Sequence, residues 1–238
     1  MKDPQHSRIK TFSDRHLWLG PAVWILAVFY FLAQVFVGWV FRPSYSVVTN
    51  YISDLGNTAC ARYEGAMVCS PRHAVMNIAF IGLGVVMAVG SLLMYQEFRE
   101  EDEAERRAAL VGFSCLALSG VGAVLVGCSP ENTNHTLHYV GAALAIGVGN
   151  LGIFVLGCVL PVPEALRQFM LFFAALSIVA LICFAGHHYF GLGKGGMERI
   201  AAYPETIWMI RFGMYMTRNH YSHAAVRPPP ERVPRRPR

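Results

Sequence analysis

The stretch Asn50-Tyr51-Ile52-Ser53-Asp54-Leu55-Gly56 places an amide, a hydroxyl and a carboxylate within a few residues of one another. Farther along, His135 and His138 stand three positions apart, so a single helical turn would bring both imidazoles to one face. Glu198 and Arg199 close a glycine-rich run. One chemistry these types support is recognition of a polar head. The planar guanidinium fork of Arg199 suits a phosphate or carboxylate, because it donates two parallel hydrogen bonds. On that reading Asn50, Asp54, His135, His138, Glu198 and Arg199 bind the ligand. A second chemistry is hydrolysis or group transfer on a lipid. Its catalytic candidates are Ser53, Asp54, His138 and Glu198, with Ser53 as a nucleophile beside His138, or with Asp54, His135 and His138 holding a Zn²⁺ that activates water. Neither H-E-x-x-H nor G-x-S-x-G frames these residues, so no cofactor is expected outside the hydrolase reading. A third chemistry, transport, would draw on Glu205 and Arg211. The plain alternatives are that Asp54 caps a turn or pairs with Arg62 or Arg72, and that His73, His187 and His188 rest among lipid headgroups.

The elements that must position these groups are membrane helices. Apolar residues make up 54% of the 238-residue chain and charged residues 15%, with the charges in blocks. Between the blocks lie apolar runs of spanning length, which is roughly 20 residues. The expected spans are Leu17–Phe41, His73–Tyr95, Ala108–Cys128, Leu137–Leu160, Phe169–Phe190 and a weaker Ile200–Met216. The last holds Glu205 and Arg211, and a charge at mid-helix costs about 2.5–3.5 kcal/mol on insertion scales. The fold class is therefore all-α: a polytopic, six-transmembrane-helix bundle. Small residues in "GLGVVMAVG" and "GAALAIGVGNLG" point to close packing inside it. Asn77 and Asn150 should hydrogen-bond neighbouring helices.

Three regions follow: a cytoplasmic lead at 1–16, the membrane domain at 17–216, and a basic, Pro-rich tail at 217–238 that cannot bury a core. Lys2, Arg8, Lys10, Arg15, Arg99, Arg106, Arg107, Arg167 and the arginines of the tail share one side of this topology. Arg42, Arg62, Arg72, Lys194 and Arg199 share the other. The positive-inside rule then puts both termini in the cytoplasm of a multi-pass plasma-membrane protein. The net charge of +5 reads as a topology signal, with membrane lipids as partners and no nucleic acid. Oligomeric state is not legible. Cys60 and Cys69 fall on the oxidising side, where a disulfide would stabilise the loop by about 2–4 kcal/mol. From Ser44 to Gly56 the apolar Val47, Val48, Tyr51, Ile52 and Leu55 alternate with Asn50, Ser53, Asp54 and Asn57 at helical spacing. That predicts a short amphipathic helix on the outer face.

"NYISDLG", "SPENTNHTLHYVGA" and "GLGKGGMERI" resemble the corresponding elements of the bacterial domain-of-unknown-function 998 family of integral membrane proteins, over roughly residues 17–216. The order of an I-S-D-x-G, a P-E and an H-x-x-G-A element is also remotely similar to the eukaryotic FRAG/DRAM membrane family, which is associated with lipid remodelling and autophagy. The resemblance implies six helices and an outer polar site, and it carries no reaction.

Overall fold

A computed structural model describes residues 19–63, 65–98 and 102–226, with side chains to residue 218 in the last helix. The readings for the 1–16 lead and for residues 227–238 of the tail lie outside the described residues. The chain forms α1 (Leu19–Ile25), α2 (Val28–Trp39), α3 (His73–Tyr95), α4 (Glu103–Cys128), α5 (His135–Ala142), α6 (Gly149–Val159), α7 (Glu164–Ala185) and α8 (Gly193–Val226). A π-helical segment, Ala143–Val148, joins α5 to α6. Among the described residues five helical stretches are long and apolar enough to cross a membrane: Leu19–Trp39, His73–Phe98, Glu103–Cys128, His135–Val159 and Glu164–Ala185. Large apolar side chains such as Phe29, Val35, Ile78, Leu92, Phe172 and Ile182 point outward, as a lipid-facing surface requires.

Helix ends follow local chemistry. The α4 helix starts before Ala108 because the Asp102 carboxylate caps the backbone N–H groups of Ala104 and Glu105. The α7 helix is displaced toward the N-terminus relative to the apolar run. It begins just after Pro163, where a missing N–H costs nothing, and it stops at Gly186. His187 and His188 thus lie beyond the helix. The α8 helix runs well past both ends of the Ile200–Met216 run. It packs along α1 and α7. Pro204 interrupts its hydrogen-bond ladder, and the Ser177 hydroxyl on α7 donates to the nearby Ala201 carbonyl. Arg211 lies with its guanidinium over the Phe169 ring, 4.5 Å from the centroid.

The α4 helix is the centre of the bundle, between α3 and the α5–α6 pair. Gly84 faces Gly120, Gly141 faces Gly122, and Gly152 faces Gly112. A Cβ on Gly84, Gly120, Gly122, Gly141 or Gly152 would run into the carbonyl oxygen of its partner, and one on Gly112 into the Leu156 side chain. The backbones meet because neither carries a side chain, so the small residues serve internal packing. Trp24, Phe113, Trp208 and Phe212 fill the core nearer the opposite end, with the two indoles 5.1 Å apart.

The segments 40–72, 129–134 and 186–192 gather at one end of the bundle. In the first, β1 (Ala61–Tyr63) and β2 (Ala66–Val68) form an antiparallel hairpin, with Ala61 opposite Val68. The Cys60–Cys69 disulfide ties its base. The expected amphipathic helix is not formed. Between Ser44 and Gly56 the regular structure is a single 3-10 turn, Ser53–Gly56. Local side chains take the backbone groups a helix would use: Asn50 Oδ1 accepts from the Ser46 N–H at 3.1 Å, and Asp54 Oδ2 accepts from the Tyr51 N–H at 3.0 Å. The two stripes do not separate either. Asn50 through Asn57 are buried, whereas Val47 and Val48 are exposed.

Candidate functional site

Arg199 pins the first loop to α8. One guanidinium nitrogen donates to the carbonyls of Val47 (3.0 Å), Asn50 (3.0 Å) and Gly195 (2.7 Å), and the other to the Tyr45 hydroxyl. Gly195 permits this approach, since a Cβ there would collide with the Asn50 carbonyl. On the next residue, Glu198 accepts the Ile52 N–H at 2.5 Å. Neighbours on α8 therefore hold the Asn50–Gly56 stretch by its carbonyls and by an amide. From below, Asn77 on α3 donates to the Gly56 carbonyl at 3.0 Å, and Ser70 to that of Leu55 at 2.6 Å.

The α4–α5 connection supplies the other wall. Glu131 accepts from the Ser53 hydroxyl (2.8 Å) and from the Asn57 amide (2.9 Å). Asn132 and Thr58 exchange a reciprocal pair of hydrogen bonds, each 3.1 Å. Burial, and then the Asp54 carboxylate beside it, push the Glu131 carboxyl up to about 9. At neutral pH Glu131 carries a proton, and Asp54 Oδ1 beside it is buried with no other hydrogen-bond partner among the described residues. Burial likewise pushes the Tyr45 hydroxyl upward, against the opposing pull of Arg199.

His138 is buried on α5, with Nδ1 2.9 Å from the Ser129 carbonyl oxygen. A carbonyl only accepts, so Nδ1 carries the hydrogen and Nε2 keeps its lone pair. His135 is exposed, its ring against Tyr139 at 4.2 Å.

A cavity of about 460 Å³ opens between these loops, α5 and the end of α7. Its lining is mixed: the polar groups of Ser53, Glu131, His135, His138, His187 and Glu198 stand together with the apolar Ile146, Leu181 and Phe184. Its size falls in the roughly 300–1,000 Å³ range of small-molecule sites.

The structure thus brings Ser53, Glu198, His135 and His138 to one cavity. Asn50 and Asp54 stand behind its wall, joined by a 2.9 Å hydrogen bond. Arg199 is spent on the loop and does not line the cavity. Among the described residues no ion pair joins Asp54 to His138 or Arg199. Nor do Asp54, His135 and His138 assemble there as a metal-holding trio. Glu131 is the principal residue that the sequence reading passed over as a site residue. Its signal was a carboxylate placed next to Pro130 in a loop that faces the Ser53 turn.

Residues 25–215 match the family described as "Protein of unknown function (DUF998)", and the chain belongs to that family. No curated protein and no solved structure matches it.

Proposed function

We propose that the protein binds a lipid or small amphiphile in the cavity at the loop-rich end, with a hydrogen-bond-donating head, such as an ammonium or polyol, against Glu131, Glu198 and His138. The carrying observation is the mixed lining, in which carboxyl and imidazole groups share one cavity with Ile146, Leu181 and Phe184. A phosphate head would meet Glu131 and Glu198 without a guanidinium, since Arg199 is committed to Val47, Asn50 and Gly195. We place this end at the outer leaflet of the plasma membrane, with α8 as a sixth span and both termini cytoplasmic. The distribution of Lys and Arg supports that orientation. The length of α8 supports the sixth span, since its 34 residues at about 1.5 Å each exceed a hydrocarbon core of about 30 Å.

The test compares a long-chain alkylamine with an alkyl phosphate of equal chain length, read as thermal stabilisation of the purified protein. The amine should stabilise and the phosphate should not, and Ala143→Trp, at the cavity wall, should abolish the response. Equal stabilisation by the phosphate, or an unchanged amine response in Ala143→Trp, sinks the proposal.

One observation favours a second reading, a lipid hydrolase or transferase. His138 places Nδ1 on the Ser129 carbonyl, which leaves Nε2 as the basic nitrogen, in a cavity that also holds Ser53. In this structure the Ser53 hydroxyl donates to Glu131, so His138→Ala and Ser53→Ala should both abolish turnover of an ester-linked amphiphile if that reading holds.

A further inference from the structure

Beside the cavity lies a smaller, largely apolar branch of about 70 Å³, which shares Ser53, His138 and Glu198 in its lining and extends to Glu205 and Thr206. Glu205 lies two helical turns beyond Glu198 on the same face of α8. At 1.5 Å per residue it is about 18 Å from the start of α8, near the middle of a core about 30 Å thick.

Glu205 is 3% exposed, and no cation stands within ion-pair distance among the described residues. It is closely cradled. A Cβ on Gly149, at the end of the π-helical segment, would occupy the place of its carboxyl oxygens. Ser119 Oγ on α4 lies 2.6 Å from the Ala145 carbonyl oxygen and 2.8 Å from Glu205 Oε1. A hydroxyl has one hydrogen to give. The carbonyl can only accept, so the Ser119 hydrogen serves Ala145. The contact to Glu205 then takes its hydrogen from the carboxyl. The hydrogen-bond geometry by itself asks for a proton on Glu205.

The branch also holds hydroxyls that need partners. Tyr30 from α2 is 6% exposed and Thr206 is 3% exposed; both line the branch, and neither hydroxyl has a hydrogen-bond partner among the described residues. At roughly 30 Å³ per molecule, the branch has room for about two waters. These would link the hydroxyls, Glu198 and Glu205.

We infer that Glu205 is a proton-binding site at the centre of the bundle, loaded from the outer cavity through Glu198 and the water of the branch. The proton leaving the Glu205 carboxyl passes to a branch water, which hands one on to the Glu198 carboxylate; no electron moves and no covalent bond to carbon changes. The titratable and charged groups around this route are Tyr30 on α2, Tyr45 and Asp54 in the first loop, Cys115 one turn before Ser119 on α4, Glu131 in the α4–α5 connection, His138 on α5, and Glu198, Arg199 and Tyr203 on α8. No Lys or Arg lines the branch. The inference stands on the branch itself and needs no occupant in the outer cavity.

Infrared spectroscopy of the full chain in lipid tests it. Near neutral pH the carbonyl bands of protonated, buried carboxyls should include, beside that of Glu131, a component that vanishes in Glu205→Gln, persists in Glu131→Gln and shifts in Ser119→Ala. On transfer to D₂O the band should exchange at least tenfold more slowly in Glu198→Gln than in the unaltered protein. Carboxyl bands that are the same with and without Glu205→Gln overturn the proton on Glu205, and unchanged exchange in Glu198→Gln overturns the route. Dicyclohexylcarbodiimide, which adds to protonated carboxyls in apolar surroundings, reads the unaltered chain directly. An adduct at Glu205 that diminishes as pH rises is expected. An unlabelled Glu205, or protection by Na⁺ in place of alkali, overturns the inference.

Discussion

Arg199→Ala separates a ligand-binding arginine from one that builds the site. In the structure its guanidinium serves Val47, Asn50 and Gly195 carbonyls and the Tyr45 hydroxyl, and the residue is 9% exposed. A hydrogen bond to a charged group is worth about 1.5–3 kcal/mol, and such contributions do not add fully. Removal also leaves the Val47 and Asn50 carbonyls without their side-chain donor, in a loop that other contacts still hold down. The net loss should be about 3–5 kcal/mol, in the range for removing one partner of a buried charged network. For a chain of this size that is a fall in Tm of about 6–20 °C, at roughly 2–4 °C per kcal/mol. Arg199→Lys keeps the charge but not the fork, and should recover less than half of the loss. Thermal unfolding of the detergent-solubilised protein, followed by intrinsic fluorescence, reads all three forms. A Tm for Arg199→Ala within about 2 °C of the unaltered protein would refute the reasoning, because the loop would then be held without it.

Glu131 should make stability fall with alkali. Its folded-state value of about 9 lies above the ordinary 4.5, so its contribution is fully present below about pH 4.5 and is lost as pH rises through 9. At about 1.4 kcal/mol per unit this amounts to a few kcal/mol. The Tm of Glu131→Gln should therefore change less between about pH 6 and pH 10 than that of the unaltered protein, and parallel curves would count against the assignment. Replacing Cys60 and Cys69 by Ser should cost about 2–4 kcal/mol and expose the hairpin to proteolysis, measured as the rate of cleavage between them. Gly120→Leu should drive α4 from α3, because a Cβ already meets the Gly84 carbonyl; loss of folded protein on size exclusion is expected, and a normal monodisperse peak would speak against the contact. Single cysteines at Tyr63 and Glu103, in a background free of other exposed thiols, should be labelled by an impermeant reagent from outside and inside respectively. The reverse pattern inverts the orientation.

The helices were legible because length and apolar character suffice for them, and the glycine-rich runs announced the close backbone contacts at Gly84 and Gly141. The Cys60–Cys69 spacing carried the disulfide. The Ser44–Gly56 stretch misled because its 3.6-residue alternation is real, yet Asn50 and Asp54 spend their side chains on nearby backbone N–H groups. Partners distant in sequence then decide its path: Glu131, Glu198 and Arg199 each bind it across the fold. No local pattern encodes such pairings. Arg199 illustrates the limit. An arginine beside a glycine run suits a phosphate and suits a cluster of backbone carbonyls equally well, and only the fold selects between them. Glu205 was visible as a charge in an apolar run, but its meaning depends on Ser119 and Gly149, which two other helices bring to it.

The most direct test of the central claim is an experimental structure of the protein in a native-lipid nanodisc. Elongated density is expected in the cavity, its head within hydrogen-bonding distance of Glu131, Glu198 or His138 and its chain along Ile146, Leu181 and Phe184. A cavity holding only discrete water peaks, or an amphiphile head seated on Arg199 with the 45–50 loop displaced, would contradict it.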